Sequence, residues 1–172
     1  MSKIKLRELT PDDVKGEEGY VSWLNDPEVN KYLECRHTVH TIDSVRSYVQ
    51  DMLNSDDNIL YGIFLDGLHV GNFKFTNISW RYRHSDIGVL IAKEYWGKGI
   101  WKEVIKQAET IAFSELGLHK LHCTPYAYEN EASLKGLLSC GWRLVGEYRD
   151  HVIDDNGSFM NVFILEKIRC EK

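Results

Sequence analysis

Ser85-Asp86-Ile87-Gly88-Val89-Leu90-Ile91-Ala92-Lys93-Glu94-Tyr95-Trp96-Gly97-Lys98-Gly99-Ile100 changes character twice. Residues 85–92 form an apolar run with little polar interruption, as a strand covered on both faces requires. Two glycines then bracket a lysine. From Ile100 onward, Val104, Ile105, Ala108, Ile111 and Ala112 recur at helical spacing, and Gly117 is placed to end that helix. A buried strand, a glycine turn and an amphipathic helix in succession predict an α/β unit. Glycines at such a junction let backbone N–H groups approach an anion closely. The helix terminus adds a partial positive charge, and Lys98 can add a point charge against phosphate. The same pattern also serves as a tight turn that needs positive φ, and that alternative stays open. Neither nucleotide fingerprint fits. Lys102 stands where GxGxxG needs glycine, and no GKS/T follows for a P-loop.

Working outward, residues 4–9 alternate apolar and charged side chains, as a half-buried strand should. Thr10-Pro11-Asp12-Asp13 reads as a helix start, and the spacing predicts a helix to about Leu24, blemished by Gly16 and Gly19. Thr41 opens a cleaner helix, with Val45, Tyr48, Val49, Met52 and Leu53 on one face. Residues 59–65 and 69–76 flank Asp66-Gly67, a strong hairpin signal. Residues 120–128 read as a strand. Asn130 caps a short helix carrying Leu134, Leu137 and Leu138, which Gly141 closes. Residues 142–152 and 159–165 form a hairpin about Asp155-Asn156-Gly157. The order is strand, two helices, hairpin, strand, helix, strand, helix, hairpin. That predicts an α/β fold, or α+β with a mixed sheet, and no linker or repeat divides residues 1–172 into more than a single domain.

The chain has 172 residues, 43% hydrophobic and 27% charged, ordinary for a globular protein. A net charge of −5 with scattered basic residues argues against nucleic acid as a partner. Residues 1–9 hold no apolar signal-peptide core, and no run reaches the ~18 apolar residues that would span a membrane. Cys35, Cys123, Cys140 and Cys170 show no CxxC pair and read as reduced thiols. The expectation is a cytoplasmic protein without membrane partners. No HExxH or Cys/His zinc spacing predicts a metal, and no GxSxG predicts an acyl-enzyme. His119 and His122 lie three apart on the strand, so they point to opposite faces.

Several stretches together resemble the GNAT superfamily of N-acetyltransferases. Glu94-Tyr95-Trp96-Gly97-Lys98-Gly99 is similar to the Q/R-x-x-G-x-G/A pyrophosphate loop of that superfamily. Trp23-Leu24-Asn25-Asp26-Pro27-Glu28-Val29, Ile87-Gly88-Val89-Leu90-Ile91-Ala92, and Asn130-Glu131-Ala132-Ser133 with Cys140-Gly141-Trp142 resemble the branch of ribosomal-protein N-acetyltransferases. The resemblance covers nearly the whole chain. It implies a central, mostly antiparallel sheet flanked by helices, with its fourth and fifth strands splayed near Val89 to Ala92. It implies acetyl-coenzyme A as cosubstrate, no metal, and direct attack by a primary amine.

The resemblance also places pantetheine along Val89, Leu90 and Ile91, whose N–H groups would polarise the thioester carbonyl. Phosphates fall to Gly97, Lys98, Gly99, Ile100 and Trp101, with further contacts from Asn130 and Lys135. Asp86 is the candidate base and Ser133 the candidate donor near sulfur, with Tyr126 and Tyr128 in reserve. The bland readings are a solvated strand end for Asp86 and a first-turn serine for Ser133. Three departures stand out. Glu94 opens the loop, Trp101 is bulky where a small residue is usual, and Leu137 occupies the place of a tyrosine general acid. Arg36, His37 and His40 fall in the acceptor loop, residues 33–41. Three functions follow: an acetyltransferase for a small amine such as an amino sugar, polyamine or amino acid; one for a protein N-terminus or side chain; or a coenzyme-binding sensor without turnover. A homodimer is common in the family.

Overall fold

The strands are β1 (Ile4–Glu8), β2 (Ile59–Leu65), β3 (Leu68–Ser79), β4 (His84–Ile91), β5 (Lys120–Cys123), β6 (Arg143–Ile153) and β7 (Phe159–Ile168). In the computed structural model, which describes residues 3–124, 130–154 and 156–169, they form one sheet in the order β1-β2-β3-β4-β5-β7-β6. Sequential hairpins need only short turns, and Asp66 and Gly67 supply one with φ of 50° and 88°, the left-handed pair that suits the strand twist. Every neighbouring pair is antiparallel except β4 and β5. A parallel pair cannot be joined by a tight turn, so the chain crosses over through α3 (Ile100–Thr110). The sheet is therefore mixed, with β4 at its centre, as the order of sequence patterns predicts.

Strand alternation sends the two faces of β4 to different helices. On one face Ile87 joins Phe73, Phe75, Leu121 and Leu165 in a core closed by Ile100, Val104, Ile105 and Ala108 of α3 and Leu137 of α4 (Glu131–Ser139). On the other, Leu90 packs with Leu60 against α1 (Tyr20–Asn25) and α2 (Ile42–Leu53), through Val21, Leu24, Val45 and Val49. A Val, Leu, Ile or Phe side chain fully buried in these cores contributes ~1.5–3 kcal/mol relative to exposure. Asp86 and Gly88 share the α1–α2 face with Leu90. Their register partners on β3 are Thr76, Lys74 and Asn72.

Two expectations are corrected. The helix expected from Thr10 to Leu24 is broken into a 3-10 turn, Pro11–Asp13, and the separate α1. The Asp13 carboxylate accepts from the Thr10 amide and hydroxyl, both at 2.9 Å, and from Arg7 at 2.7 Å. These bonds tie Asp13 back to β1. Gly19 then takes φ 74°, which no continuing helix allows. Second, among the described residues β4 and β5 pair no further than Asp86 and His122, so they part earlier than expected. On the other side of β4, its pairing with β3 shifts register at Thr76/Ser79, where Asn77 has φ 52°. The fifth strand is seen as far as Cys123. Tyr126 and Tyr128 lie outside the described residues, as does Asp155 of the last turn. Among the described residues no helix is long and apolar enough to cross a membrane.

Candidate active site

Among the described residues β4 and β5 pair at His84/Lys120, Ser85/Leu121 and Asp86/His122. Beyond this fork β4 continues to Ile91, roughly 17 Å further at ~3.4 Å per residue, with no β5 partner among the described residues. The Ala92 amide donates to the Val70 carbonyl at 2.9 Å. By antiparallel alternation, Leu90 and Gly88 also turn their main-chain groups to β3, while those of Val89 and Ile91 face the fork. The expectation that Leu90 offers its amide there is thus corrected: its N–H belongs to the ladder, and its side chain packs under α1 and α2. The Trp96 indole N–H donates to the Ile91 carbonyl at 2.7 Å, satisfying one group that the missing strand would have paired.

At the end of β4 a 3-10 turn, Lys93–Tyr95, leads to Gly97 (φ 71°) and Gly99 (φ 75°), the N-cap of α3. A Cβ on either glycine would meet nothing within 4 Å. Backbone conformation, rather than crowding, demands glycine here, and the space above both is open to an incoming group. The first amides of α3, at Ile100 and Trp101, are the ones a helix cannot satisfy internally. Lys98 Nζ lies 4.8 Å from the Tyr95 ring centroid. Trp101 fits because its neighbour on α4 is Gly136, where a Cβ would come within 2.6 Å of the indole nitrogen. That nitrogen is buried without a partner among the described residues.

At the fork, Asp86 Oδ1 lies 2.7 Å from His122 Nδ1, and Asn77 Nδ2 donates to Oδ2 at 3.3 Å. His122 Nε2 lies 3.3 Å from His84 Nδ1. Burial pushes the Asp86 carboxyl up, but the hydrogen bond and charge of His122, with Asn77 and His84, outweigh it and hold Asp86 below its usual value. Asp86 is therefore ionised at neutral pH. Its neighbour Cys123 is pushed up to about 12, by burial first and the Asp86 charge second, and burial also raises Cys35. Neither thiol is a thiolate nucleophile. The histidine partners were missed in the sequence because the contact spans a parallel pairing that local periodicity does not reveal.

A continuous cleft of about 1440 Å³ joins these parts. It runs from the Gly97–Gly99 turn past Val89 and Ile91 to Asp86, and on to Leu33, Glu34, Cys35, Thr38 and His40. Asn130 and Ser133 line it from α4. The Asn130 side chain accepts the Ser133 amide at 3.2 Å, which makes it the helix cap. Leu137 is fully buried and offers no proton. Lys135 does not line the cleft; it pairs with Glu131 one turn away on an exposed face. His37 is likewise absent from the lining, and Arg36 reaches over to the Ile153 carbonyl at 3.4 Å.

Residues 3–143 match the acetyltransferase (GNAT) domain family. Spermidine N(1)-acetyltransferase of Escherichia coli (strain K12) is 24% identical over 159 residues, 92% of this chain and 82% of that protein. An uncharacterized N-acetyltransferase, p20, of Bacillus licheniformis is 22% identical over 174 residues, 98% of this chain and 94% of that one. Among solved structures, spermidine N-acetyltransferase from Vibrio cholerae, in complex with CoA and spermine, superposes with a TM-score of 0.85 at 18% identity, covering 96% of this chain and 95% of that chain.

Proposed function

From the premise that this chain belongs to the GNAT acetyltransferases and uses acetyl-coenzyme A, we propose that it acetylates a primary amine of a small molecule, with a polyamine as first candidate. The observation that carries the reading is the fork, with an ionised carboxylate, Asp86, on the cleft wall where β4 and β5 part. The choice of acceptor follows the relatives named for an activity, which are spermidine acetyltransferases. Resemblance to the ribosomal-protein branch would favour a protein acceptor instead, and that is the alternative to be tested against it.

The residues present fit the cosubstrate. The open space over Gly97 and Gly99, the free amides of Ile100 and Trp101, and the Lys98 charge suit the phosphates. The main-chain groups of Val89 and Ile91 suit a pantetheine arm lying alongside as an added strand. Acetyl-coenzyme A supplies the acetyl group as a thioester. An amine with pKa near ~10 arrives mostly protonated and must lose one proton before it can attack. Asp86 accepts that proton. It stands three residues from Val89, about 10 Å along the strand and farther than one water spans, so the proton would pass along a short chain of waters. Ser133, on the far wall, relays a proton to the departing sulfur. Forming the amide from an ammonium releases two protons; one returns to the thiol and one leaves to solvent.

Steady-state rates with acetyl-coenzyme A and spermidine test this reading. Asp86→Asn should lower kcat by ~10²-fold with little change in coenzyme affinity, and less so at high pH, where more acceptor is neutral. Near wild-type turnover in that variant at neutral pH would reduce Asp86 to a solvated strand end.

A further inference from the structure

We propose that His122 is a positioning residue for Asp86: clamped between that carboxylate and His84, it fixes which oxygen faces the cleft and, on taking up a proton, withdraws the carboxylate from catalysis. This rests on the reading that Asp86 accepts the proton of the amine.

Both ring nitrogens of His122 are engaged, Nδ1 with Asp86 Oδ1 at 2.7 Å and Nε2 with His84 Nδ1 at 3.3 Å. Facing an ionised carboxylate, Nδ1 must carry the hydrogen. Neutral His122 then accepts at Nε2, and His84 must donate from its own Nδ1. Two N–H groups in series point toward Asp86, while Asn77 steadies the second oxygen. His84 is held in turn by Tyr82, stacked at a centroid distance of 6.5 Å and an interplanar angle of 10°. The His122 and Asp86 side chains are 24% and 32% exposed, sheltered enough for their charges to feel each other through less than full solvent screening.

Protonated His122 carries hydrogen on both nitrogens. The His84 Nδ1–H can then no longer point at it, and His84 must change tautomer. A full positive charge also sits against Asp86 Oδ1, so the carboxylate becomes one half of an ion pair and a weaker acceptor for the proton of a cationic amine. From β3, Lys74, the register partner of Gly88, shares the face and the cleft with Asp86. On β5, Lys120 is paired with Glu166 at 3.0 Å. Glu166 is the β7 register partner of both His122 and, on β6, Arg143. Cys123, next along β5, stays a neutral thiol. On β4 the facing groups are Asp86 and His84. The proton-linked change is thus centred on the Asp86–His122–His84 chain.

The test is kcat/KM against pH for wild type, His122→Ala and His122→Asn, whose amide can replace the Nδ1 donor without titrating. Taking variant-to-wild-type ratios cancels the ionisation of the acceptor itself. At pH 8, His122→Ala should lose about tenfold and His122→Asn should recover most of it. Between pH 8 and 5.5 the wild type should fall about tenfold more than His122→Asn. Nitrogen-15 spectra of the histidines should show the Nδ1–H tautomer at His122 at pH 8, and loss of that preference in Asp86→Asn. Thermal melts establish that each variant is folded. A wild-type to His122→Asn ratio that stays flat with pH overturns the proposal, even if Asp86→Asn is inactive and the base reading survives. An active Asp86→Asn instead removes the base reading. The tautomer spectra judge the clamp separately, and an Nε2–H tautomer at His122 would overturn it.

Discussion

Asp13 shows how a single carboxylate decides local structure. Its oxygens hold Arg7 and the Thr10 amide and hydroxyl, and the Arg7 bond comes first among the causes that keep Asp13 well below the usual carboxylate range. A depressed folded value means that the contribution is present above the unfolded pKa of ~4 and is lost as pH falls through the folded value. The Arg7 side chain is 42% exposed, so solvent screening keeps the gain to about 1 kcal/mol. Asp13→Asn should therefore melt ~2–4 °C lower at pH 7, and the gap should narrow progressively as pH falls below ~4. A gap that stays constant down to pH 3 would show that the carboxylate charge is not what holds this turn.

Gly99 acts on the scale of an element, since it both ends the turn after β4 and caps α3 in the left-handed region. A β-branched side chain at φ 75° is strained by at least ~1–2 kcal/mol, although space exists for it. Gly99→Val should leave the protein folded but remove most of the rise in melting temperature that acetyl-coenzyme A gives the wild type. An undiminished rise would take the phosphates away from this turn. Elements governed by neighbours in sequence were legible before the structure. Asp66-Gly67 makes its turn, Thr41 accepts the Ser44 amide at 3.2 Å to start α2, and Asn130 caps α4. What failed to read out depends on distant partners. Asp13 chose Arg7 over the helix, Leu90 spent its amide on β3, and Trp101 was readable as tolerable only with Gly136 beside it. Asp86 was a candidate from its place on a strand, whereas its contact with His122 needed the parallel pairing that brings the two alongside.

On the scale of the whole molecule, the cleft lies along the far half of β4, which has no β5 partner among the described residues. The helices on its two faces then divide the labour. Those after β4 and β5 present glycine amides, Asn130 and Ser133, and those before β2 carry the segment from Leu33 to His40 over the opposite mouth. Glu34, His40, Asp86, Val89 and Ile91 all line this one cleft. The central claim is transfer of acetyl to a small amine, and the measurement that tests it most directly is thiol release from acetyl-coenzyme A across a panel of amines, with products identified by mass. The panel should hold spermidine, spermine, an amino sugar, free amino acids and peptides with free N-termini. The account predicts stoichiometric monoacetylation of a polyamine at rates well above those of the peptides. Acetylated peptides with untouched polyamines would contradict the choice of acceptor, and coenzyme binding without thiol release for any amine would contradict catalysis itself.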